Sequence, residues 1–395
     1  MTAGAKLTQR IGVAFEYPVV FTRGVFDPAN PALAGVLPPP AAPGRRRLAA
    51  YVDDGVLRHH PGLAGHLRAY LAARAPDVDL RVGPAAIPGG ERAKDGLEGV
   101  RRIAAELLRA GLCRHSCVIA VGGGAVLDAV GFAASIVHRG LRLVRVATTV
   151  LSQNDSGVGV KTALNVGGVK NALGTFAPPF AVVNDVEFLR TLPDRDWRAG
   201  AAEAFKVAAI KDAAFFRFLC DRAEAIRDRD QAAMEALVRR CARLHLDHIR
   251  AGGDPFESGA ARPLDFGHWA AHELESMSRY RIRHGEAVAA GIALDATYAW
   301  RRRWLSGAER DALCGGLRRC GLPLWYDEFD RRDRSGRRRI VQGLDKFREH
   351  LGGELCITLP RGIGRRFEVH EMDLRGIDAA LDRLRREEMS VKSKR

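Results

Sequence analysis

The segment CVIAVGGGAVLDAVGFAASIVHRG, residues 117–140, constrains the fold more than any other part of this chain. A short apolar run ends in three glycines and opens directly into a helical pattern, which reads as strand, glycine turn, helix. A helix that returns over a sheet delivers the chain to a parallel neighbouring strand, so such a unit implies others beside it. Those units are present. LAAYVDDGV (48–56) reads as a strand running into a turn, HLRAYLAARAP (66–76) as an amphipathic helix and GVRRIAAELLRAGL (99–112) as a second helix stopped by Gly111. LRLVRVATTV (141–150) is another strand, and FAVVNDVEFLRTLP (180–193) is a strand with a turn. Residues 11–35 alternate as short extended pieces, and residues 36–47 form a Pro-rich loop. Strands alternating with helices predict an α/β domain with a parallel sheet over residues 1–195.

The texture changes after Trp197. Residues 201–250 are helix-patterned throughout, as are HWAAHELESMS, GEAVAAGIALDATYAWRRRWL and the C-terminal GIDAALDRLRREEM. A helical second domain is expected over residues 196–395, with a frayed tail from about 388. A chain of 395 residues is long enough for two such cores. There are no internal repeats.

Composition narrows the function classes. A net charge of +15 and a pI near 10.0 raise a nucleic-acid reading. The arginines, however, are scattered through helical patterns without interleaved aromatics, and no helix-turn-helix, finger or RNP signature occurs. No nucleic-acid partner is therefore expected; a positive field equally attracts a phosphorylated substrate. No apolar run reaches the roughly 18 residues that span a bilayer, so no membrane partner is expected. The N-terminus lacks the apolar core of a secretory signal. Seven scattered cysteines without a C-x-x-C pair suggest buried free thiols in a reducing compartment. The expected location is the cytoplasm.

Lysine usage points to the chemistry. Of 62 basic residues, 53 are arginine and nine are lysine, and five of the nine fall between Lys94 and Lys211. A compact ammonium suits a phosphate or a reacting hydroxyl gripped as a point charge. Three features lie around that stretch. The glycine turn Gly122–Gly123–Gly124 lets backbone approach a pyrophosphate at a helix N-terminus, though it is not the G-x-G-x-x-G of a standard dinucleotide fold. Glu203 and Lys206 are i and i+3 on one helical face within an Ala-rich run. His268 and His272 are i and i+4, with Trp269 where a zinc protease carries Glu, and His284 stands where a loop enters a new helix. One glutamate and two histidines make a catalytic zinc set with positions open for substrate oxygen.

The order of these elements resembles the 3-dehydroquinate synthase-like sugar phosphate cyclases over nearly the whole chain. The matching stretches are GGERAK (89–94), VGGGAVLD (121–128), the block from Arg139 to Asn171, FLRTLP (188–193), AEAFK (202–206), LDFGHWAAHE (264–273) and HGEAVAAG (284–291). The resemblance implies a dehydroquinate synthase-like fold, an α/β NAD-binding domain followed by a helical metal-binding domain. It implies a lyase that uses NAD catalytically: a ring hydroxyl is oxidised, phosphate is eliminated and the hydride is returned. The ring then opens, and an intramolecular aldol closes a carbocycle. It implies Glu203, His268 and His284 as ligands of Zn²⁺, with Co²⁺ as a substitute, and His272 as acid/base. Lys161, Lys206, Asn165 and Asp155 correspond to substrate contacts, and Asn171 and Arg139 to phosphate contacts. The arginine would come from the neighbouring subunit of a homodimer. Asp53, Glu91, Lys94, Gly122, Gly123, Gly124, Asp128, Thr148, Thr149, Lys170, Phe188 and Thr191 correspond to cofactor contacts.

The chain also departs from true dehydroquinate synthases. Asp265 stands in LDFGH where they read LNFGH; their upstream arginine aligns with Arg262 only through a one-residue deletion, the ungapped position being Ala261. Their lysine about twenty residues before the first zinc histidine is missing, since no lysine lies between Lys211 and Lys346. Their D-K-K segment becomes DKFREHLGGEL. An added anion and fewer cations disfavour a carboxylate on the substrate. Asp265 would accept a hydrogen bond from a hydroxymethyl group instead, and TRGVFDPANPAL resembles the valiolone-forming branch. The expected substrate is sedoheptulose 7-phosphate and the product a valiolone-type cyclitol, 2-epi-valiolone or 2-epi-5-epi-valiolone. The alternative is 3-dehydroquinate synthase acting on the seven-carbon keto-acid phosphate.

Overall fold

Three strands, Cys117–Gly122, Arg142–Ala147 and Ala181–Asp185, are almost wholly buried along their length. Strands covered on both faces read as continuous apolar runs and pair in parallel, and these form the centre of the sheet. The computed structural model describes residues 7–39, 45–167, 169–252, 256, 263–350 and 353–393. Its strands are β1 (Val19–Thr22), β2 (Arg46–Asp53), β3 (Val78–Ile87), β4 (Cys117–Gly122), β5 (Arg142–Ala147), β6 (Lys161–Val166), β7 (Val169–Phe176), β8 (Ala181–Asp185), β9 (Ile357–Pro360) and β10 (Arg366–Val369). Six of them form an all-parallel sheet in the order β1-β8-β5-β4-β2-β3. β6–β7 and β9–β10 are separate antiparallel pairs.

The helices of the first half are α1 (Ala32–Val36), α2 (Asp54–His59), α3 (Leu63–Arg74), α4 (Glu98–Arg109) and α5 (Gly124–Ile136). One apolar core, with Val100, Ile103, Val126 and Val130, lies under α4 and α5; another, with Leu67, Tyr70 and Leu71, lies under α3 on the other face. The second half contributes α6 (Asp194–Lys211), α7 (Ala213–Asp221), α8 (Ala223–Arg227), α9 (Gln231–Ala251), α10 (His268–Met277), α11 (His284–Arg301), α12 (Gly307–Arg319), α13 (Gln342–His350) and α14 (Leu374–Lys392). These share one large core centred on α6 and α11. α11 is buried along almost its whole length because Ala and Gly let neighbours close in: Gly291 would put a Cβ 2.1 Å from the Gly267 carbonyl oxygen.

Several sequence expectations are corrected. β3 adds a strand whose sequence carries little signal, because LRVGPAAI contains Gly83 and Pro84 and so loses its alternation. The turn after LAAYVDD is the helix α2, started by the Asp53 carboxylate accepting from the Gly55 N–H at 2.8 Å. Of residues 11–35 only Val19–Thr22 form a strand, and the helical half contains the hairpin β9–β10. The C-terminal segment, expected to fray from about 388, stays helical to Lys392. The Arg310 guanidinium grips Glu387 there at 2.7 and 2.8 Å. All seven cysteines are free thiols, and Cys113 is exposed rather than buried. No helix among the described residues is long and apolar enough to cross a membrane.

Candidate active site

β2 continues through α2 and α3 to β3 on one side, whereas β4 continues through α5 to β5 on the other. The crevice beyond the carboxyl ends of β2 and β4 is therefore a topological switch point, the place where open α/β sheets bind ligands. Asp53 ends β2, Gly122 ends β4, and a Cβ on Gly122 would lie 3.1 Å from that of Asp53. α5 starts at Gly124 with no side-chain cap, which leaves its first N–H groups facing the crevice. A Cβ on Gly123 would approach Thr149 Cγ2 at 3.1 Å, and one on Gly124 would meet Ser156 Oγ at 2.5 Å. A side chain here would have to displace its neighbours, and the bare backbone of the turn fits a pyrophosphate. Beside it, Thr148 Oγ1 is buried with no hydrogen-bond partner among the described residues, while Thr149 Oγ1 bonds Ser152 Oγ at 2.9 Å. Phe188 and Thr191 frame the same rim through His60, whose ring packs edge-on against Phe188 and whose Nε2 lies 2.9 Å from Thr191 Oγ1. Burial raises the Asp53 pKa, and the backbone N–H groups around it offset only part of that.

A polar chain runs along the crevice. Lys94 Nζ donates to Asp128 Oδ2 and to Asn171 Oδ1, both at 2.6 Å. The Asn171 N–H donates to Asn165 Oδ1 at 2.9 Å, and Asn165 Nδ2 donates to Glu91 Oε2 at 3.0 Å. Asn171 holds a left-handed φ of 54°, a conformation asparagine tolerates better than most residues. Five residues that the resemblance assigns to cofactor, substrate and phosphate thus form one network. Lys170, one position earlier on β7, links this network to the helical half: it interacts with Glu91 as well as with Glu275. Its Nζ reaches Glu275 Oε1 at 2.5 Å.

The helical half presents a cluster of ionisable groups. α6 presents Glu203 and Lys206, α10 presents His268 and His272, and α11 begins with His284. Glu203 and Lys206 form a buried ion pair with side chains 1% and 4% exposed, so the i,i+3 spacing does not mark a surface pair. Glu203 Oε1 lies 3.3 Å from His284 Nε2 and 3.7 Å from His268 Nε2. The donor atoms of Glu203, His268 and His284 all lie within 4.8 Å of one another. Neither Glu203 oxygen accepts a well-formed hydrogen bond, although both are buried. A buried carboxylate that turns Oε1 toward two imidazoles, with Lys206 beside Oε2, fits a divalent cation.

The electrostatics follow from burial against neighbours. Burial works to raise the Glu203 pKa, but Lys206 and His268 outweigh it and hold the carboxyl well below its usual range. Lys206 is raised, because Glu203 and Asp155 outweigh its burial. His268 is pushed down to about 3 by burial and then by Lys206. His272 is also lowered, by burial and then by His268 and Lys170, so at neutral pH it is a neutral imidazole able to take a proton. His284 is the exception: burial and Lys170 oppose its charge, but Glu275 and Glu203 raise it to about 9.

Asp155 joins the two sides. It belongs to one turn of π-helix, Ser152–Ser156, whose Ser156 abuts Gly124. Its carboxylate binds His245 Nδ1 at 2.8 Å and interacts with Lys206; burial works to raise its pKa, but Lys206 and His245 together lower it. Asp265, just before α10, also acts on the Lys206 charge. Lys161 opens β6 at the exposed end of the hairpin. The loop before it is held by Arg145, whose buried guanidinium donates to the carbonyls of Gly157, Gly159 and Lys161 at 3.2, 2.6 and 3.1 Å. Arg139 is not brought to this cleft within the chain. It is exposed, with φ 65°, before the start of β5, whereas Thr148 follows its end. Six strand residues put roughly 20 Å between them. Arg262 and Ala261 lie outside the described residues.

Sequence reasoning missed Glu275, Arg145 and His245. The first two left signals. Glu275 continues the His268–His272 face at i+7, and Arg145 is a charge set among the apolar residues of a buried strand. His245 reaches Asp155 only through tertiary packing and left none.

Fold and cluster define a two-part α/β–α protein, with a nucleotide-type glycine turn on one wall of its cleft and a metal-type donor set on the other. The family 3-dehydroquinate synthase N-terminal matches residues 84–199, and 3-dehydroquinate synthase C-terminal matches residues 200–336. The 2-epi-5-epi-valiolone synthase of Streptomyces glaucescens is 39% identical over 379 residues, covering 94% of this chain and 92% of that protein. The 3-dehydroquinate synthase of Xylella fastidiosa strain M12 is 35% identical, covering 87% and 91%. The chain belongs to the 3-dehydroquinate synthase family. The structure of 2-epi-5-epi-valiolone synthase from Streptomyces hygroscopicus subsp. jinggangensis, solved with NAD⁺ and Zn²⁺ bound, superposes with a TM-score of 0.83 at 31% identity, covering 96% of this chain and all of that one. A 2-deoxy-scyllo-inosose synthase solved with carbaglucose-6-phosphate, NAD⁺ and Co²⁺ shares the fold, with a TM-score of 0.73 at 22% identity over 92% and 96% of the two chains.

Proposed function

We propose that this protein is a phosphate-eliminating sugar phosphate cyclase, a lyase that converts sedoheptulose 7-phosphate to a valiolone-type cyclitol, 2-epi-5-epi-valiolone by likeness to its relatives. The observation that carries the reading is the gathering of Glu203, His268 and His284 beside Lys206 and Asp155, on a cleft whose other wall is the glycine turn. Glu203, His268 and His284 would hold the metal, and the turn at Gly122–Gly124, with Asp53, Lys94, Asp128, Thr148 and Thr149, would hold NAD. When bound, these groups supply a Lewis acid for a hydroxyl and a reversible hydride acceptor. The chain does the rest. Lys206, held protonated, fixes a substrate oxygen as a point charge. Neutral His272 takes and returns a proton. Asn165, Asn171 and Lys161 line the hairpin side where the phosphate would lie, and Arg139 would complete that subsite from a second copy in a homodimer.

The preference for a substrate without a carboxylate rests on committed cations. Lys206 is paired with Glu203, Lys170 with Glu275, Lys94 with Asp128, and Lys346 with Glu273 at 2.5 Å. Asp265 adds a further negative charge beside Lys206. A carboxylate bound here would compete with these carboxylates for the four lysines, whereas a hydroxymethyl group can donate to Asp265. The free thiols and the absence of any membrane-crossing helix among the described residues support a cytoplasmic location. Purified protein with NAD and Zn²⁺ is incubated with sedoheptulose 7-phosphate or with the seven-carbon keto-acid phosphate of dehydroquinate synthase. Phosphate release and an NMR spectrum of the carbocycle from the first substrate alone are expected; turnover of the second alone makes the protein a dehydroquinate synthase.

A further inference from the structure

His272, Glu275 and His284 form a second set of metal-type donors, also within 4.8 Å of one another, which overlaps the first at His284. One imidazole cannot serve both sets in the same way, since its nitrogens face opposite carboxylates. Nε2 faces Glu203 Oε1 at 3.3 Å, and Nδ1 faces Glu275 Oε2 at 3.1 Å. The other Glu275 oxygen is occupied by Lys170 Nζ at 2.5 Å. Glu275 is therefore a carboxylate with both oxygens engaged, its side chain 2% exposed, whereas Glu203, paired with Lys206 through Oε2, turns Oε1 toward the Nε2 atoms of both His268 and His284. The backbone around it is pinned as well: Ser278 Oγ donates to the Glu275 carbonyl at 2.9 Å and accepts from the Ile282 N–H at 3.2 Å. That closes the turn leading into His284.

We infer that Glu275 is a positioning residue, which fixes the His284 ring so that Nε2 faces the ion at Glu203–His268–His284, rather than a ligand of its own site. By accepting the Nδ1 proton it selects one tautomer and one ring orientation, and Lys170 holds the carboxylate in the required rotamer. Partners of this kind typically change metal affinity about 10–100-fold when removed. The arrangement also gives Lys170 a task at the metal side, beyond the cofactor contact implied by resemblance. The inference rests on the metal set proposed above.

The test is Zn²⁺ affinity, read by chelator competition on metal-free protein, for the wild type, Glu275→Ala and Glu275→Gln. Glu275→Ala should weaken binding about 10–100-fold, and Glu275→Gln by less, because its amide oxygen still accepts from Nδ1–H. Long-range ¹H–¹⁵N spectra of the zinc-loaded wild type should show His284 protonated at Nδ1, and that proton should lose its protection in Glu275→Ala. A purely structural glutamate would leave the tautomer unchanged. If Glu275→Ala does not fold, the intermediate affinity of Glu275→Gln and its retained Nδ1 proton carry the test. Affinities within about threefold of wild type for both variants would overturn the inference, the usual effect being tenfold or more. So would full affinity in Glu203→Ala with none in Glu275→Ala, which would place the ion on the other donor set. Wild-type protein that binds no divalent ion at all would end the proposed metal set itself.

Discussion

Replacing Lys206 by methionine separates the charge balance of the cluster from its packing. The Lys206 side chain is 4% exposed and its ammonium is paired with Glu203, whose side chain is 1% exposed. Methionine keeps most of the volume and deletes the charge. Removing one partner of a buried pair strands the other, at a cost of about 3–5 kcal/mol. The low end applies, because His284 and His268 lie 3.3 and 3.7 Å from Glu203 Oε1 and a protonated His284 replaces part of the lost charge. The metal-free variant should thus be about 3 kcal/mol less stable than metal-free wild type. Lys206 also repels any cation bound to Glu203. Zinc should therefore bind the variant more tightly, and if it restores the whole loss, 3 kcal/mol corresponds to about 150-fold in dissociation constant. The sign with pH is fixed as well. The Glu203 pKa is depressed, so its stabilising contribution is present above the usual glutamate value and is lost as pH falls through the depressed one. Measurement near pH 7.5 keeps Glu203 ionised in the wild type, where Lys206 is the main cause of its depressed pKa. Urea unfolding of metal-free and zinc-saturated forms, with chelator competition, reads both quantities, while turnover should be lost. An equal destabilisation with and without zinc, or weaker zinc binding in the variant, would refute the reasoning.

Other outcomes follow from the same geometry. His284, raised to about 9 in the metal-free protein, stabilises it fully below the unfolded histidine value and loses that contribution as pH rises through about 9. Metal binding at Nε2 must displace that proton, so zinc affinity should increase about tenfold per pH unit between 7 and 9; a flat profile counts against the assignment. Asp265→Asn should lower kcat/KM for sedoheptulose 7-phosphate about ten- to a hundredfold, the loss of one charged acceptor worth roughly 1.5–3 kcal/mol. It should not create dehydroquinate synthase activity, because the added asparagine brings no cation. Arg139→Ala subunits mixed with Lys206→Met subunits should regain part of the activity through one intact composite site per heterodimer; full activity as a monomer in sedimentation would remove the shared-site reading.

Local sequence determined the parts whose physics is local. Three glycines between an apolar strand and a helix made the turn at Gly122–Gly124 legible, because a Cβ there would press on Val126, Thr149 and Ser156. Helical spacing placed Glu203 with Lys206 and His268 with His272 on common faces, and the loop–helix junction set His284 at the start of α11. Tertiary structure alone decided the long-range pairings. β3 and the hairpins β6–β7 and β9–β10 carry weak alternation and exist through partners far along the chain or across a tight turn. Whether Glu203 and Lys206 formed a surface pair or a buried one depended on the packing of α6 against α11. That Glu275 would stand between Lys170 and His284, and His245 against Asp155, depended on which side of β7 faces the helical half and where α9 crosses the π-helical turn. Spacing along one helix or strand fixes which side chains share a face; only the packing of separate elements fixes which charges must neutralise one another out of water.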